Sequence, residues 1–170
     1  MCIRDSETIG YNYRMSNICA GIGRGQMTVA QAHIDHHKHV QKLYEELLSD
    51  VSGIKVNKAP SEKFDSNYWL CTITIDESVK VKGQEKAYVV AITSAVGGAA
   101  GVIHAGGGVH TDCEPNANVE AMRMALDAAG IEARPVWKPM HKQPVYKNAP
   151  VYVNGVSESI FKVGMCLPAG

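Results

Sequence analysis

The chain has 170 residues, of which 45% are hydrophobic and 20% charged, with 17 basic residues balancing 17 acidic ones. That is the composition of a soluble domain large enough to bury a core. Zero net charge gives no electrostatic case for nucleic acid or an anionic membrane as partner. Cys2, Cys19, Cys71, Cys113 and Cys166 are odd in number, scattered and without a C-x-x-C pair, so they read as reduced thiols of a cytoplasmic protein. Residues 1–6 (MCIRDS) lack the apolar run of a secretory signal.

Taken along the chain, the first element starts at Ser16, a helix-capping residue. Ile18, Ile22, Val29, Ile34, Val40, Leu43 and Leu47 then recur at near-helical spacing, and Gly53 supplies a stop. The pattern predicts one helix of roughly 30 residues, ~45 Å long. Gly21, Gly23 and Gly25 weaken its start and mark where it would break.

Tyr68–Asp76 alternates, with Trp69, Cys71, Ile73 and Ile75 on one side and Thr72 and Thr74 on the other, which predicts a half-buried strand. Ala87–Thr111 carries no formal charge and is long enough to span a bilayer, but its six glycines and lack of Leu or Phe make it a loop or hairpin instead. Asn118 is expected to open a short helix over Val119–Ala129, closed by Gly130. Ile131–Arg134 is a second strand candidate. Prolines 135, 139, 144 and 150 predict an extended, rigid loop, and Val156–Val163 a last short helix. Helices alternating with strands give an α/β or α+β domain.

Three constellations are weak carriers of chemistry. Gly21-Ile22-Gly23-Arg24-Gly25 lacks the preceding strand and the full glycine spacing of a phosphate loop. His33, His36 and His37 share a helical face at a spacing that can bind metal, yet no H-E-x-x-H frame is present, and a solvated face is the more common outcome. His104, His110, Asp112 and Cys113 could ligate zinc or be incidental residues of a surface insertion. A metal-binding or interaction module built on these His/Cys clusters is therefore the alternative reading.

Two segments differ in kind. Residues 10–15 (GYNYRM) and 134–146 (RPVWKPMHKQPVY) concentrate aromatic, amide and cationic groups beside turn formers. Cations meet phosphates, amides and phenols give neutral hydrogen bonds, and Trp gives a flat face. Stiff loops lose little entropy on binding an anion.

The run G-Y-N-Y-R-M-S-N-I-x-A (Gly10–Ala20) resembles the segment after the cofactor lysine in the DegT/StrS-type sugar aminotransferases. The resemblance continues through Tyr68-Trp69, through A-G-I-E-A-R-P-V-W-K-P-M-H (Ala129–His141), and into Cys166-Leu167-Pro168. It implies the C-terminal (small) domain of a fold-type I, pyridoxal 5′-phosphate (PLP) dependent aminotransferase, with a long N-terminal helix packed on a small sheet. That domain fragment would span residues 1–170, with 79–118 as a Gly-rich insertion outside the resemblance and the cofactor-lysine domain absent. It also implies a cytoplasmic homodimer of polysaccharide biosynthesis that moves an amino group from glutamate to a keto group of a nucleotide-linked deoxysugar. The R-P-V-W-K-P-M-H form looks most like the bacillosamine-type 4-keto-6-deoxysugar transaminases. Carried over by position, Asn12 and Tyr11 would contact PLP. Tyr13, Arg14, Trp137, Lys138 and His141 would contact the substrate. No residue of this chain would be the catalytic lysine, so the chain alone is expected to be inactive. Some relatives are PLP-dependent sugar dehydratases with histidine at the lysine position, a second alternative.

Overall fold

The structure is a computed structural model, and it describes residues 15–87 and 113–169. Of the segments singled out by sequence, 10–14 and 88–112 lie outside the described residues.

Ser16 caps the first helix, α1 (Asn17–Met27), accepting from the Cys19 amide at 3.1 Å. The expected single long helix is two. α1 ends at Thr28, and α2 runs Ala30–Leu47. The break lies just past the glycine triplet, where Thr28 turns its hydroxyl onto the Gly25 carbonyl at 2.7 Å. Val29 leaves helical geometry at φ −116°, ψ 2°. A side chain that competes for a helix carbonyl, followed by a β-branched residue, makes a natural stop after weak helix formers.

The apolar stripe expected to pack this helix does not do so among the described residues. Ile18, Ile22 and Leu47 are exposed, and no residue of α1 is buried. The inward face of α2 instead carries Gln41, Tyr44 and, just past its end, Leu48. Gln41 is buried but donates its amide to Glu45 and to the Asn57 carbonyl, each at 3.0 Å. Tyr44 donates its hydroxyl to the Pro168 carbonyl at 2.8 Å, tying α2 to the far end of the chain. Helix-to-sheet packing therefore falls to the last turns of α2.

Four short strands form one antiparallel sheet in the order β1 (Ile54–Val56), β2 (Cys71–Ile75), β4 (Gly164–Leu167), β3 (Arg134–Pro135). The sequence alternation is clean in β2: Cys71, Ile73 and Ile75 are buried and Thr72 and Thr74 half-buried. Trp69 departs from expectation. The strand begins only at Cys71, and Trp69 is 66% exposed. The break precedes it at Tyr68, a non-glycine residue at φ +47°, a conformation that interrupts extended backbone. Strands β1 and β4 had no sequence forecast, being three and four residues long.

The registers Ile54↔Ile75, Val56↔Ile73 and Ile73↔Met165 place these side chains on one face. With Val119 and Ala133 they form the core, and Tyr44, Leu48, Met122 and Leu126 pack against it. Val119, Met122 and Leu126 belong to α3 (Ala117–Ala128), which covers that face. Asn116, not Asn118, precedes α3. Asn118 lies inside the first turn, where its buried amide donates to the Asp76 and Val79 carbonyls at 2.9 and 3.1 Å. Gly130, at φ +74°, ends the α3 region as expected.

The proline-rich stretch is not purely extended. Met140–Lys142 and Pro144–Tyr146 form two short 3₁₀ turns. The φ that proline fixes suits the first position of such a turn as well as an extended chain. The last helix, α4 (Val156–Val163), matches its expectation and runs straight into β4. Gly164 makes that junction. A Cβ there would lie 2.7 Å from the Ile160 carbonyl oxygen and 2.8 Å from Val136 Cγ2. The backbone contact cannot relax cheaply. Gly164→Ala is expected to destabilise the fold by about 1–3 kcal/mol. Gly23→Ala, in an open stretch of α1, should be neutral or stabilise by up to about 1 kcal/mol. Thermal unfolding of both variants checks this, and equal Tm changes would contradict the junction argument.

Candidate functional site

Of the sequence-nominated residues, Trp137, Lys138 and His141 fall within the described structure, on the segment that leaves β3. That segment is pinned where it starts, because the Val136 amide donates to the Gly164 carbonyl at 3.2 Å. Lys138 is buried, its side chain 2% exposed, and its ammonium lies 3.6 Å from a carboxylate oxygen of Glu114. The Lys138 carbonyl accepts from the buried Gln143 amide at 3.3 Å, closing the first 3₁₀ turn beneath it. Trp137 is 55% exposed and Met140 63%. An exposed tryptophan thus adjoins a buried lysine in the sequence.

The turn Met140–Lys142 sets His141 and Lys142 against one carboxylate. Glu158, in the first turn of α4, meets His141 Nε2 through Oε1 at 2.8 Å and Lys142 Nζ through Oε2 at 3.6 Å. Glu158 was absent from the sequence reading, since an acid in the first turn of a helix is ordinary there. Its only sequence signal was its place on a helix that returns to the sheet. The hydrogen bond from His141 holds the Glu158 carboxyl below the usual range, and the Lys142 charge acts in the same sense. Cys113 is buried beside this cluster. Burial pushes its thiol up, as does the Glu158 charge, while Lys142 and Lys138 oppose the rise. The structure therefore gathers two lysines, one histidine and two carboxylates around a stiff turn, with the exposed Trp137 next in sequence to Lys138. Such a constellation can receive an anionic, ring-bearing ligand.

Asn12, Tyr11, Tyr13 and Arg14 lie outside the described residues, as do His104, His110 and Asp112. Among the described residues no group of three or more His, Cys, Asp or Glu is placed to hold a metal ion. His36 and His37 stand with ring centroids 6.0 Å apart and planes tilted by 55°. No described helix is long and apolar enough to cross a membrane.

The profile of the DegT/DnrJ/EryC1/StrS aminotransferase family matches residues 4–112, more than half of the sequence. The chain belongs to this family. EpsN of Bacillus subtilis (strain 168), which carries the name of a pyridoxal phosphate-dependent aminotransferase, is 30% identical over 166 residues, covering 95% of this chain and 33% of EpsN. GDP-perosamine synthase of Vibrio cholerae is 25% identical over 144 residues, 84% of this chain and 28% of that protein. The synthase of the same name from Escherichia coli O157:H7 is 34% identical over 67 residues, 39% and 18% respectively. The crystal structure of the aminotransferase TlmJ from Streptoalloteichus hindustanus superposes with a TM-score of 0.56 at 15% identity, over 89% of this chain and 30% of that one. That likeness bears on the fold, a mixed helix and antiparallel-sheet domain. The chain spans about a third or less of the length of these relatives.

Because the folded Glu158 carboxyl titrates below its ordinary value of 4.5, its pairing stabilises the fold above that pH. The stabilisation is lost as pH falls through the lower, folded-state value. Glu158→Gln should thus unfold at a lower Tm than wild type near neutrality, and the two curves should converge as pH falls through the lowered folded-state value. A Tm difference that persists unchanged in acid would show that the pairing is not its source.

Proposed function

We propose that this chain is the C-terminal part of a PLP-dependent aminotransferase that transfers an amino group from glutamate to a keto group of a nucleotide-linked deoxysugar, working as a cytoplasmic homodimer. The observation that carries the reading is the Trp137–Lys138–His141–Lys142 cluster, held on a proline-stiffened segment of a chain of this family. The indole suits a base or sugar ring, and the cations suit a diphosphate. Relatives named for GDP-perosamine agree with a sugar carried on a nucleotide. The R-P-V-W-K-P-M-H form of the segment favours a 4-keto-6-deoxysugar of the bacillosamine type.

PLP supplies an electron sink at the carbon undergoing amino transfer. Holding it needs an uncommitted lysine amine and donors for a phosphate. The buried lysine among the described side chains, Lys138, faces Glu114, and Lys38, Lys58 and Lys142 each lie against a carboxylate. An ammonium fixed by a carboxylate is a poor nucleophile. None of these four amines is the cofactor lysine in this reading. In this reading Asn12 and Tyr11 reach the cofactor's phosphate from this chain, Tyr13 and Arg14 join the substrate contacts, and the lysine is supplied by the larger assembly. These 170 residues alone then leave PLP unconverted when mixed with glutamate. Formation of pyridoxamine phosphate above the protein-free rate would contradict that expectation.

The substrate assignment is tested on the chain itself by NMR titration with UDP-N-acetylglucosamine and with free N-acetylglucosamine. The nucleotide-linked sugar should shift the Trp137 indole and His141 ring signals, and the free sugar should not. Shifts confined to other parts of the molecule, or equal for both ligands, would overturn it.

The 79–118 tract is an insertion in this reading, and the geometry of its base supports that. Asn118 reaches the Val79 carbonyl at 3.1 Å across 39 residues, and Asn116 reaches Glu77 at 3.1 Å. A chain with residues 88–112 replaced by a short Gly-Ser linker should fold with its sheet and α3 packing retained. Loss of a cooperative thermal transition would show the tract to be part of the core instead.

A further inference from the structure

The mechanism sketched above uses His141 but gives no role to the carboxylate it touches. Glu158 is placed like a fixed post. Its helix, α4, is anchored by Phe161, 1% exposed, and continues without a loop into the sheet's inner strand β4. His141, by contrast, rides on a three-residue 3₁₀ turn. With Nε2 held by Glu158 at 2.8 Å, the imidazole has one ring nitrogen left for a ligand, Nδ1. In a neutral ring with Nε2–H donating to the carboxylate, Nδ1 is a bare lone pair and repels a phosphate oxygen. In the imidazolium both nitrogens donate.

We infer that Glu158 is the positioning residue for His141: by engaging Nε2 it orients the ring and lets the protonated imidazole present Nδ1–H to a phosphate oxygen of the substrate. The inference rests on the nucleotide-sugar reading for its ligand. The groups around the pair fit this arrangement. Lys142, on the same turn, takes the second carboxylate oxygen of Glu158 and so does not compete for Oε1. Lys138 and Glu114 balance each other alongside, and Cys113, its thiol pushed up by burial, adds no negative charge near neutrality. The group left to meet the ligand is then the ring nitrogen Nδ1 of the imidazole that Glu158 holds in place.

The test uses the 170-residue chain with UDP as the probe, at about pH 6, near the ordinary histidine range. Ring ¹⁵N shifts of His141 report which nitrogens carry protons, and UDP affinity is read from the same spectra. Wild type, Glu158→Gln, His141→Gln and the double variant are compared, with the core methyl signals of Ile75 and Met165 as the check that each is folded. The expected result has three parts. UDP drives both His141 nitrogens to the protonated shift in wild type, Glu158→Gln weakens UDP binding about tenfold, as for loss of one charge-assisted hydrogen bond, and it weakens binding no further once His141 is Gln. A merely structural Glu158 would weaken binding equally in both backgrounds, and that result overturns the proposal. UDP binding at His141 that is indifferent to Glu158 overturns the proposal alone. Absence of binding of UDP and of GDP alike by folded wild type overturns the nucleotide-sugar reading and the proposal with it. Should Glu158→Gln fail to fold, Glu158→Asp, which withdraws the carboxylate by one methylene, takes its place under the same criteria.

Discussion

The close approach at Gly164 governs both the fold and the site. Here α4 becomes β4 with no intervening loop, under the Ile160 carbonyl and the Val136 side chain, in a space that admits no Cβ. From this junction β4 pairs with β2 on one side and β3 on the other. The Gly164 carbonyl also receives the Val136 amide, which fixes where the functional segment departs. Glu158 projects from the helix entering the junction, and His141 from the segment leaving beside it. The 2.8 Å contact between them therefore spans two elements rooted in one strand. A sheet of four short strands can hold such a pair because β4, one of its two inner strands, serves as the common root.

The region of α1 and early α2 contrasts with this. α1 buries nothing, and the apolar side chains Ile18 and Ile22 stand in the open. Core burial begins only at Gln41 and Tyr44, where α2 reaches the sheet. Each buried methylene contributes roughly 0.8 kcal/mol, so stability is concentrated in the sheet, α3, α4 and the last turns of α2. Local opening should cost least along α1.

What the sequence made legible follows from how strongly local chemistry constrains the chain. The Ser16 cap, the alternation of Cys71, Ile73 and Ile75, the Gly130 stop and the Val156–Val163 helix all rest on local signals and appear as read. Strands β1 and β4 were not legible, since three or four residues carry too little alternation and their pairing is non-local. The stripe from Ile18 to Leu47 was legible as helical but not as unburied, because periodicity gives the face of a helix and not what lies against it. Lys138 and His141 could be named from the segment's chemistry and from its family resemblance. Glu158 could not, because its role depends on which turn of which helix meets His141 in space. Asn118 was misplaced by two residues for a related reason: its amide serves the Asp76 and Val79 carbonyls across the core and not the helix start.

The charge pattern of the site determines how it can discriminate. Lys138, His141 and Lys142 face Glu114 and Glu158, and the pairs Lys138–Glu114 and Lys142–Glu158 are already made without a ligand. Lysines already set against carboxylates offer little Coulombic attraction to a distant anion, and what they offer is screened beyond about 8–10 Å at ordinary salt. Affinity for a phosphate must then come from short, directed hydrogen bonds. Those demand donors held in place before the ligand arrives, because ordering a free side chain costs about 0.5–1.5 kcal/mol each. Prolines at 135, 139 and 144, the Gln143 bond to the Lys138 carbonyl and the Glu158 contact to His141 all reduce that cost within one stretch of chain. The candidate site is thus better suited to a ligand that matches its preset donors than to collecting anions in general.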